Sequence, residues 1–348
     1  MPETTYLSRR AVAIENDHLR VTVMEEGGHI AEVFHKAAGV NPLWTPTWAG
    51  TEPSGFGPEQ AARFGTGVEA KLLCGILGHN LCLDLFGGPS PEEFAAGLTA
   101  HGEASLLPYE VVENDGALIC RLHMPLAQLQ FQRTLTLRGA DVHIRETVEN
   151  LAAFDRPLAW TQHVTLGPPY LHPATTEFRM TGDRAATLSG ELGAPGYLAP
   201  GKLFAWPYAP LAQGGMLDAR SMKAEAPASS YLAVRMVPQG IHASWTAWSP
   251  DSKLAISYVW RRSDFPWLGL WEENGARTFS PWNSGEVARG LEFGTSPFPE
   301  SRRAMVERGR LLDTPCYGWL PALATLHVEY WIRTAVTSAI PEVSGPPA

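Results

Sequence analysis

No apolar run in the chain approaches the ~18 residues that a membrane-spanning helix requires, and the opening residues, MPETTYLSRR, carry no apolar segment of the kind found in secretion signals. A cytoplasmic protein without membrane contact is the expectation. Basic residues are in the minority. The 27 Lys and Arg against 36 Asp and Glu leave a formal charge of −9, and the pairs Arg261-Arg262 and Arg302-Arg303 stand isolated. Nucleic acid is thereby excluded as a main partner, because binding a phosphate backbone needs a basic footprint. Cysteine is sparse. Cys74, Cys82, Cys120 and Cys316 form no CxxC pair and fit no zinc spacing, so they read as buried free thiols. Also missing are a GxSxG nucleophile elbow, a phosphate-cradling glycine loop and any repeat of solenoid length.

Present instead are 45% hydrophobic residues, enough for a large core, together with 33 Gly and 29 Pro spread along the chain. That spacing suits many short strands joined by tight turns. Period-two alternation marks two strands in Ala11–Met24, one in Leu118–Met124, and two in Leu129–Asn150 about a Gly139-Ala140-Asp141 turn. Leu254–Trp260 is a further strand, and Leu323–Val336 reads as an edge or closing strand. Helical signals are few and short: Pro58–Phe64, Pro91–Ala96 and Pro299–Arg308, each opened by proline. The expected fold is all-β, a large antiparallel β-sandwich with a few short helices. Residues 1–340 are expected to form a single domain, with 341–348 as a loose C-terminal tail.

Four stretches set polar residues among Gly, Pro and aromatics, outside simple alternation: Gly78–Pro89, Ala100–Ala104, Thr161–Tyr170 and Gly290–Pro297. Each has a structural reading. His101 before glycine could cap a turn, His163 could be a satisfied strand histidine, and Glu292 could face solvent. His79, Asp84, His101 and Glu103 fall within a short span and could ligate a metal. Their spacing matches no ligand pattern, however, and a shared hydrogen-bond network is the preferred reading, with no metal. Glu272 and Glu273 resemble a carboxylate pair, but neighbours on a strand diverge and cannot both face one ligand. Most tryptophans belong to the core. Trp206, Trp271 and Trp282 sit in loop-like contexts and are the ones expected in a cleft, where a sugar's C–H face packs on an aromatic ring.

Taken together, the stretches resemble the aldose 1-epimerase (galactose mutarotase-like) superfamily. CxDxFGG precedes the first histidine, His101-Gly102 matches the family's HG dipeptide, and the strands Phe131–Asn150 end in V-E-N. His163 with Gly167-Pro168-Pro169-Tyr170 matches the second histidine, and Leu291-Glu292-Phe293 the late strand carrying the family's glutamate. The resemblance spans roughly residues 10–335. It implies the galactose mutarotase-like supersandwich and interconversion of sugar anomers by acid–base ring opening, with no cofactor. Glu292 would be general base and His163 general acid, on opposite sides of the sugar. His101, His79, Asp84, Glu103, Trp206, Trp271 and Trp282 would contact substrate. The sugar-phosphate branch reads HGxxR where this chain reads HGEAS, which disfavours a phosphorylated sugar. The mid-chain acidic residue of galactose mutarotases has no clear match beyond Asp183 or Asp218. The implied partner is a small-molecule carbohydrate, and the implied assembly a monomer or homodimer. Two alternatives stay open: a non-catalytic sugar-binding module on this fold, and a metal-dependent enzyme acting on a sugar derivative.

Overall fold

The computed structural model describes residues 4–343 and 345–347. Two antiparallel sheets of twelve and eight strands carry the chain, as expected for an all-β sandwich. The eight-stranded sheet contains the strands that alternation reveals, among them Ala117–Met124, Leu129–Arg138, Asp141–Asn150, Leu254–Arg261 and Thr325–Val336. Its inward residues, such as Leu118, Phe131, Ile144 and Ile332, are fully buried, while their neighbours along each strand are more exposed. Thr325–Val336 is an interior strand, hydrogen-bonded to Leu254–Arg261 on one side and Asp141–Asn150 on the other, which corrects its reading as an edge. The predicted helices form at Pro58–Phe64, Pro91–Ala95 and Arg302–Arg308. The third starts later than its proline because Ser301 is the N-cap, its hydroxyl accepting from the Ala304 N–H.

The twelve-stranded sheet is different. Its centre runs, in spatial order, through His79–Asp84, Arg156–Leu166, Val287–Gly294, Trp267–Asn274 and Ala228–Met236. These strands are buried nearly end to end. Their inner face, with Leu81, Leu83, Trp160, Val164, Leu291 and Phe293, packs on the eight-stranded sheet in one large core. Their outer face carries a second apolar cluster, in which Cys82, Tyr231 and Trp271 meet Trp44, Trp48, Phe86 and Trp282 from loops. Covered on both sides, the strands have no wet face and hence no alternation. All four cysteines are buried free thiols.

Residues 341–348 were expected to hang loose; Ser344 and Ala348 lie outside the described residues. Of the remainder, the Val343 carbonyl accepts from Ser244 Oγ at 2.7 Å and the Gly345 carbonyl from Arg333 Nη1 at 3.2 Å, so this stretch is tied to the eight-stranded sheet. Among the described residues, no helix is long and apolar enough to cross a membrane.

Candidate active site

The register of the larger sheet sets His163 directly opposite Glu292 on one neighbouring strand and Asn80 on the other. All three alternate with core residues, so they rise from the outer face, beneath the loop-borne aromatic cluster. His163 Nε2 lies 3.1 Å from Glu292 Oε1. Gly290 makes room for this contact, since a Cβ there would stand 2.3 Å from Glu292 Oε1. On the far side of the ring, His163 Nδ1 is 3.2 Å from the Thr165 hydroxyl.

These two residues line a pocket of about 580 Å³, a volume that includes its open mouth. His101 enters from a turn, its ring centroid 4.9 Å from that of His163 and its Nδ1 3.1 Å from Asn80 Oδ1. The turn explains the HG dipeptide. His101 and Gly102 both have positive φ, and a Cβ at Gly102 would meet the Leu83 carbonyl at 2.4 Å, a clash no other residue avoids.

Tryptophans build one side. Trp44 stacks on Trp282 at 5.9 Å, and Trp271 meets Trp282 edge-on at 6.0 Å. The Arg277 guanidinium lies 4.4 Å from the Trp282 ring centroid and 5.1 Å from that of Trp271, a cation–π arrangement. It donates twice to the Leu192 carbonyl and has Glu273 Oε2 at 3.7 Å behind it. Glu286 fixes the strap carrying Trp44, accepting from Trp44 Nε1 and the Thr47 N–H, each at 2.9 Å.

Burial sets the protonation of the central pair. It raises Glu292 to about 8, against the opposing pull of the Tyr231 hydroxyl and Arg277. Burial, with Arg277 acting in the same direction, lowers His163 to about 4. His101 is also driven well below the usual histidine range, by burial first and then by His163 and His29. At neutral pH the pair therefore holds one proton, on the carboxyl. The Glu292 O–H then donates to Nε2, and Nδ1–H donates to Thr165.

Of the residues expected in the site, His101, His163, Trp271, Trp282 and Glu292 line this one pocket. The others do not. His79 points into the inter-sheet core, bonded to Gln162 at 2.9 Å and Tyr258 at 3.3 Å, because it alternates with Asn80 on its strand. Asp84 is held by Arg156 and Arg302, and Glu103 accepts from the Leu126 and Ala127 N–H groups. Trp206 lines a separate surface cavity with Arg179 and Arg220. Asp183 pairs with Arg235 and Asp218 with Arg220, and neither lines the pocket. Glu272 and Glu273 diverge as expected, one bonded to Tyr197 and the other to the loop N–H groups of Ala276 and Arg277. Dispersed in this way, His79, Asp84, His101 and Glu103 make no ligand set, and no group of three or more His, Cys, Asp or Glu suited to a metal occurs among the described residues.

Trp44, Tyr231, Arg277 and Glu286 also build the site without standing out in the sequence, and Thr165 stands out only as part of the Thr161–Tyr170 stretch. Arg277 had a signal, lying between two tryptophans already assigned to the cleft. Tyr231 had none, as one aromatic in a continuously buried strand.

No family model matches the chain, and no curated protein matches its sequence. Solved structures match along nearly its whole length. A candidate aldose 1-epimerase from Klebsiella pneumoniae is 15% identical with a TM-score of 0.68, covering 95% of this chain and 80% of that one. A galactose mutarotase-like protein from Clostridium acetobutylicum is 12% identical with a TM-score of 0.62, covering 96% and 98%. Another from Lactobacillus casei is 15% identical with a TM-score of 0.57, covering 93% and 100%. The fold is that of the galactose mutarotase-like proteins.

Proposed function

We propose that the protein binds a reducing sugar in this pocket and interconverts its anomers by proton transfer through His163 and Glu292. The 3.1 Å contact between an imidazole and a carboxyl on the floor of a tryptophan-walled pocket carries this reading. Ring opening takes a proton from the anomeric hydroxyl and delivers one to the ring oxygen as the bond from C1 to that oxygen breaks and the C1 carbonyl forms. Both oxygens are bonded to C1. An acid and a base 3.1 Å apart can therefore serve both oxygens from one side of the sugar.

One proton on the pair is the number required. In the resting arrangement Glu292 delivers its proton to the ring oxygen while His163 Nε2 takes the hydroxyl proton. With the proton moved across the contact the two residues exchange roles, which gives Glu292 as base and His163 as acid. Opening leaves one proton on the pair, and reclosure on the other face of C1 reverses the transfers. These steps need no cofactor. His101 is placed to hydrogen-bond the sugar, Trp271 and Trp282 to pack on its C–H face, and Arg277 to hold a hydroxyl.

Polarimetric relaxation of freshly dissolved α-anomers of glucose, galactose and other aldoses, with wild type beside Glu292→Gln, tests the reading. The expected result is acceleration by wild type and a loss of about 10²–10⁴ in the variant, the usual contribution of one acid–base group. Equal rates for the two proteins would remove Glu292 from the chemistry. Stabilisation by sugar without acceleration would make the protein a binding module.

A further inference from the structure

One wall of the pocket is aliphatic. The helical turn Ala70–Leu73 and the residue three places beyond it supply Leu72, Leu73 and Ile76, all buried and all lining the cavity. Three hydrogen bonds pin this wall. The Val68 carbonyl accepts from the Ala100 N–H at 3.0 Å, which ties it to the turn carrying His101. The Leu73 carbonyl accepts from Trp48 Nε1 at 3.0 Å, and the Gly78 N–H donates to the Trp44 carbonyl at 2.9 Å. None of the three side chains carries a polar atom. A ligand hydroxyl lodged against them gives up water and gains no side-chain partner.

Polar partners elsewhere in the pocket are few. Beyond the His163–Glu292 pair, the lining side chains able to hydrogen-bond are Glu69, His101, Tyr231, Arg277 and the three indoles. Trp44 Nε1 is held by Glu286, and the Nε1 atoms of Trp271 and Trp282 are fully buried, out of a ligand's reach. The Tyr231 hydroxyl is engaged by the Pro297 carbonyl and by Glu292. Three partners remain. Neutral His101 gives its Nδ1–H to Asn80 and keeps Nε2 as an acceptor. Arg277 spends Nε and Nη2 on the Leu192 carbonyl, and its Nη1 has no acceptor among the described residues. Glu69 is exposed.

An aldohexopyranose brings four hydroxyls besides the anomeric one, at C2, C3, C4 and C6. A 6-deoxyhexose brings three, and its C5 carries methyl in place of hydroxymethyl. We infer that the sugar whose anomers this protein interconverts is a 6-deoxyhexose, its C5 methyl seated on Leu72, Leu73 and Ile76. This substrate class rests on the anomer-interconverting reading of the pocket. Three ring hydroxyls then meet three partners, and the methyl meets the wall that offers none.

Matched sugars test the wall in the unaltered protein. Polarimetric relaxation is followed for D-fucose beside D-galactose, 6-deoxy-D-glucose beside D-glucose, L-fucose beside L-galactose and L-rhamnose beside L-mannose. Each pair is run with the pentose of the same ring configuration, which lacks C6 altogether. Expected is at least one pair in which kcat/KM for the 6-deoxy sugar exceeds that of its 6-hydroxy partner about tenfold or more, the penalty of an unpaired buried hydroxyl. It should exceed the matching pentose about fourfold, the worth of burying one methyl group. Ile76→Thr and Leu72→Asn place a polar group in the wall, and thermal unfolding shows whether each folds. Either folded variant should cut the preference over the 6-hydroxy partner to less than about threefold. Pairs that all lie within about threefold of parity in wild type overturn the inference and leave anomer interconversion standing. A preference that both folded variants retain, or a pentose that matches its 6-deoxy relative, overturns it as well. Acceleration of no sugar by wild type removes the anomer-interconverting function and the substrate class with it.

Discussion

A single proton shared by His163 and Glu292 makes the pH dependence of the proposed reaction calculable at the level of residues. Below about 4 the imidazole protonates as well and the pair loses its base; above about 8 the carboxyl ionises and the pair loses its acid. The profile of kcat/KM should be a plateau between those limits, and a rate that keeps climbing past pH 9 would show that no acid in this range is needed. Tyr231 tunes the upper limb. Its hydroxyl favours the Glu292 carboxylate, and it also donates to the Pro297 carbonyl at 3.1 Å. Tyr231→Phe should therefore move the alkaline limb to higher pH, at a stability cost of about 1 kcal/mol for the unpaired carbonyl. An unmoved limb would separate the hydroxyl from the carboxyl. Why the sequence disclosed His163, Glu292 and His101 but not Tyr231 has a physical basis. The three carry chemistry in glycine-rich settings, and Gly102 and Gly290 are demanded by close approaches that leave a mark in sequence. Tyr231 does its work from an unbroken apolar strand, where an aromatic looks like packing.

Among the elements, the strap holding Trp44 and Trp48 depends on one buried carboxylate. Glu286→Ala would leave Trp44 Nε1 and the Thr47 N–H and hydroxyl without their acceptor, costing about 1–3 kcal/mol per buried group left unpaired. The stacked Trp44–Trp282 pair should loosen, seen as a weaker near-ultraviolet circular dichroism signal and a raised KM for sugar with kcat retained. A variant with unchanged KM would mean that the wall stands without its strap. A second element-level case is the turn at His101. Gly102→Ala should cost about 2 kcal/mol in chemical denaturation from the left-handed backbone alone, with more from the clash against Leu83. Legibility at this scale follows hydration. Ala117–Met124, Leu129–Arg138 and Asp141–Asn150 alternate because one face of their sheet is wetter than the other, and they are readable strands. His79–Asp84, Arg156–Leu166, Trp267–Asn274 and Val287–Gly294 have cores on both faces, so their strand character and their outward residues are hidden in near-continuous burial. The site was placed on those strands by its motifs, and periodicity contributed nothing there.

Across the whole molecule, the double covering of the larger sheet brings histidines into places where they cannot be charged. His29 accepts from the Leu77 N–H through Nδ1 and bonds the Ser105 carbonyl through Nε2, which fixes its neutral form, and burial lowers it to about 3. His79 and His101 are driven well below the usual range and His163 to about 4, each chiefly by burial. In the unfolded chain all four titrate near 6.5. As pH falls through that value the unfolded state takes up protons that the folded state refuses, and stability is lost, by about 1.4 kcal/mol per pH unit for each proton of imbalance. Glu292 works the other way. Its folded value is raised, so its contribution is complete below about 4.5 and declines as pH rises towards 8. The partly buried His35 and His143 are shifted in the histidines' direction, and Glu103, Asp141, Asp264 and Glu273 in that of Glu292. The four strongly depressed histidines dominate between pH 6.5 and 4.5, and above 6.5 Glu292 gives a decline with rising pH. Urea midpoints should accordingly peak near pH 6.5 and fall steeply on the acid side. Replacing His29, which does not line the pocket, by Gln should flatten the acid limb by about one proton's worth, provided the variant folds. A midpoint that stays level from pH 6.5 to 5 would mean that the folded protein accepts these protons, and that the closed second core around the pocket admits charge more readily than its burial implies.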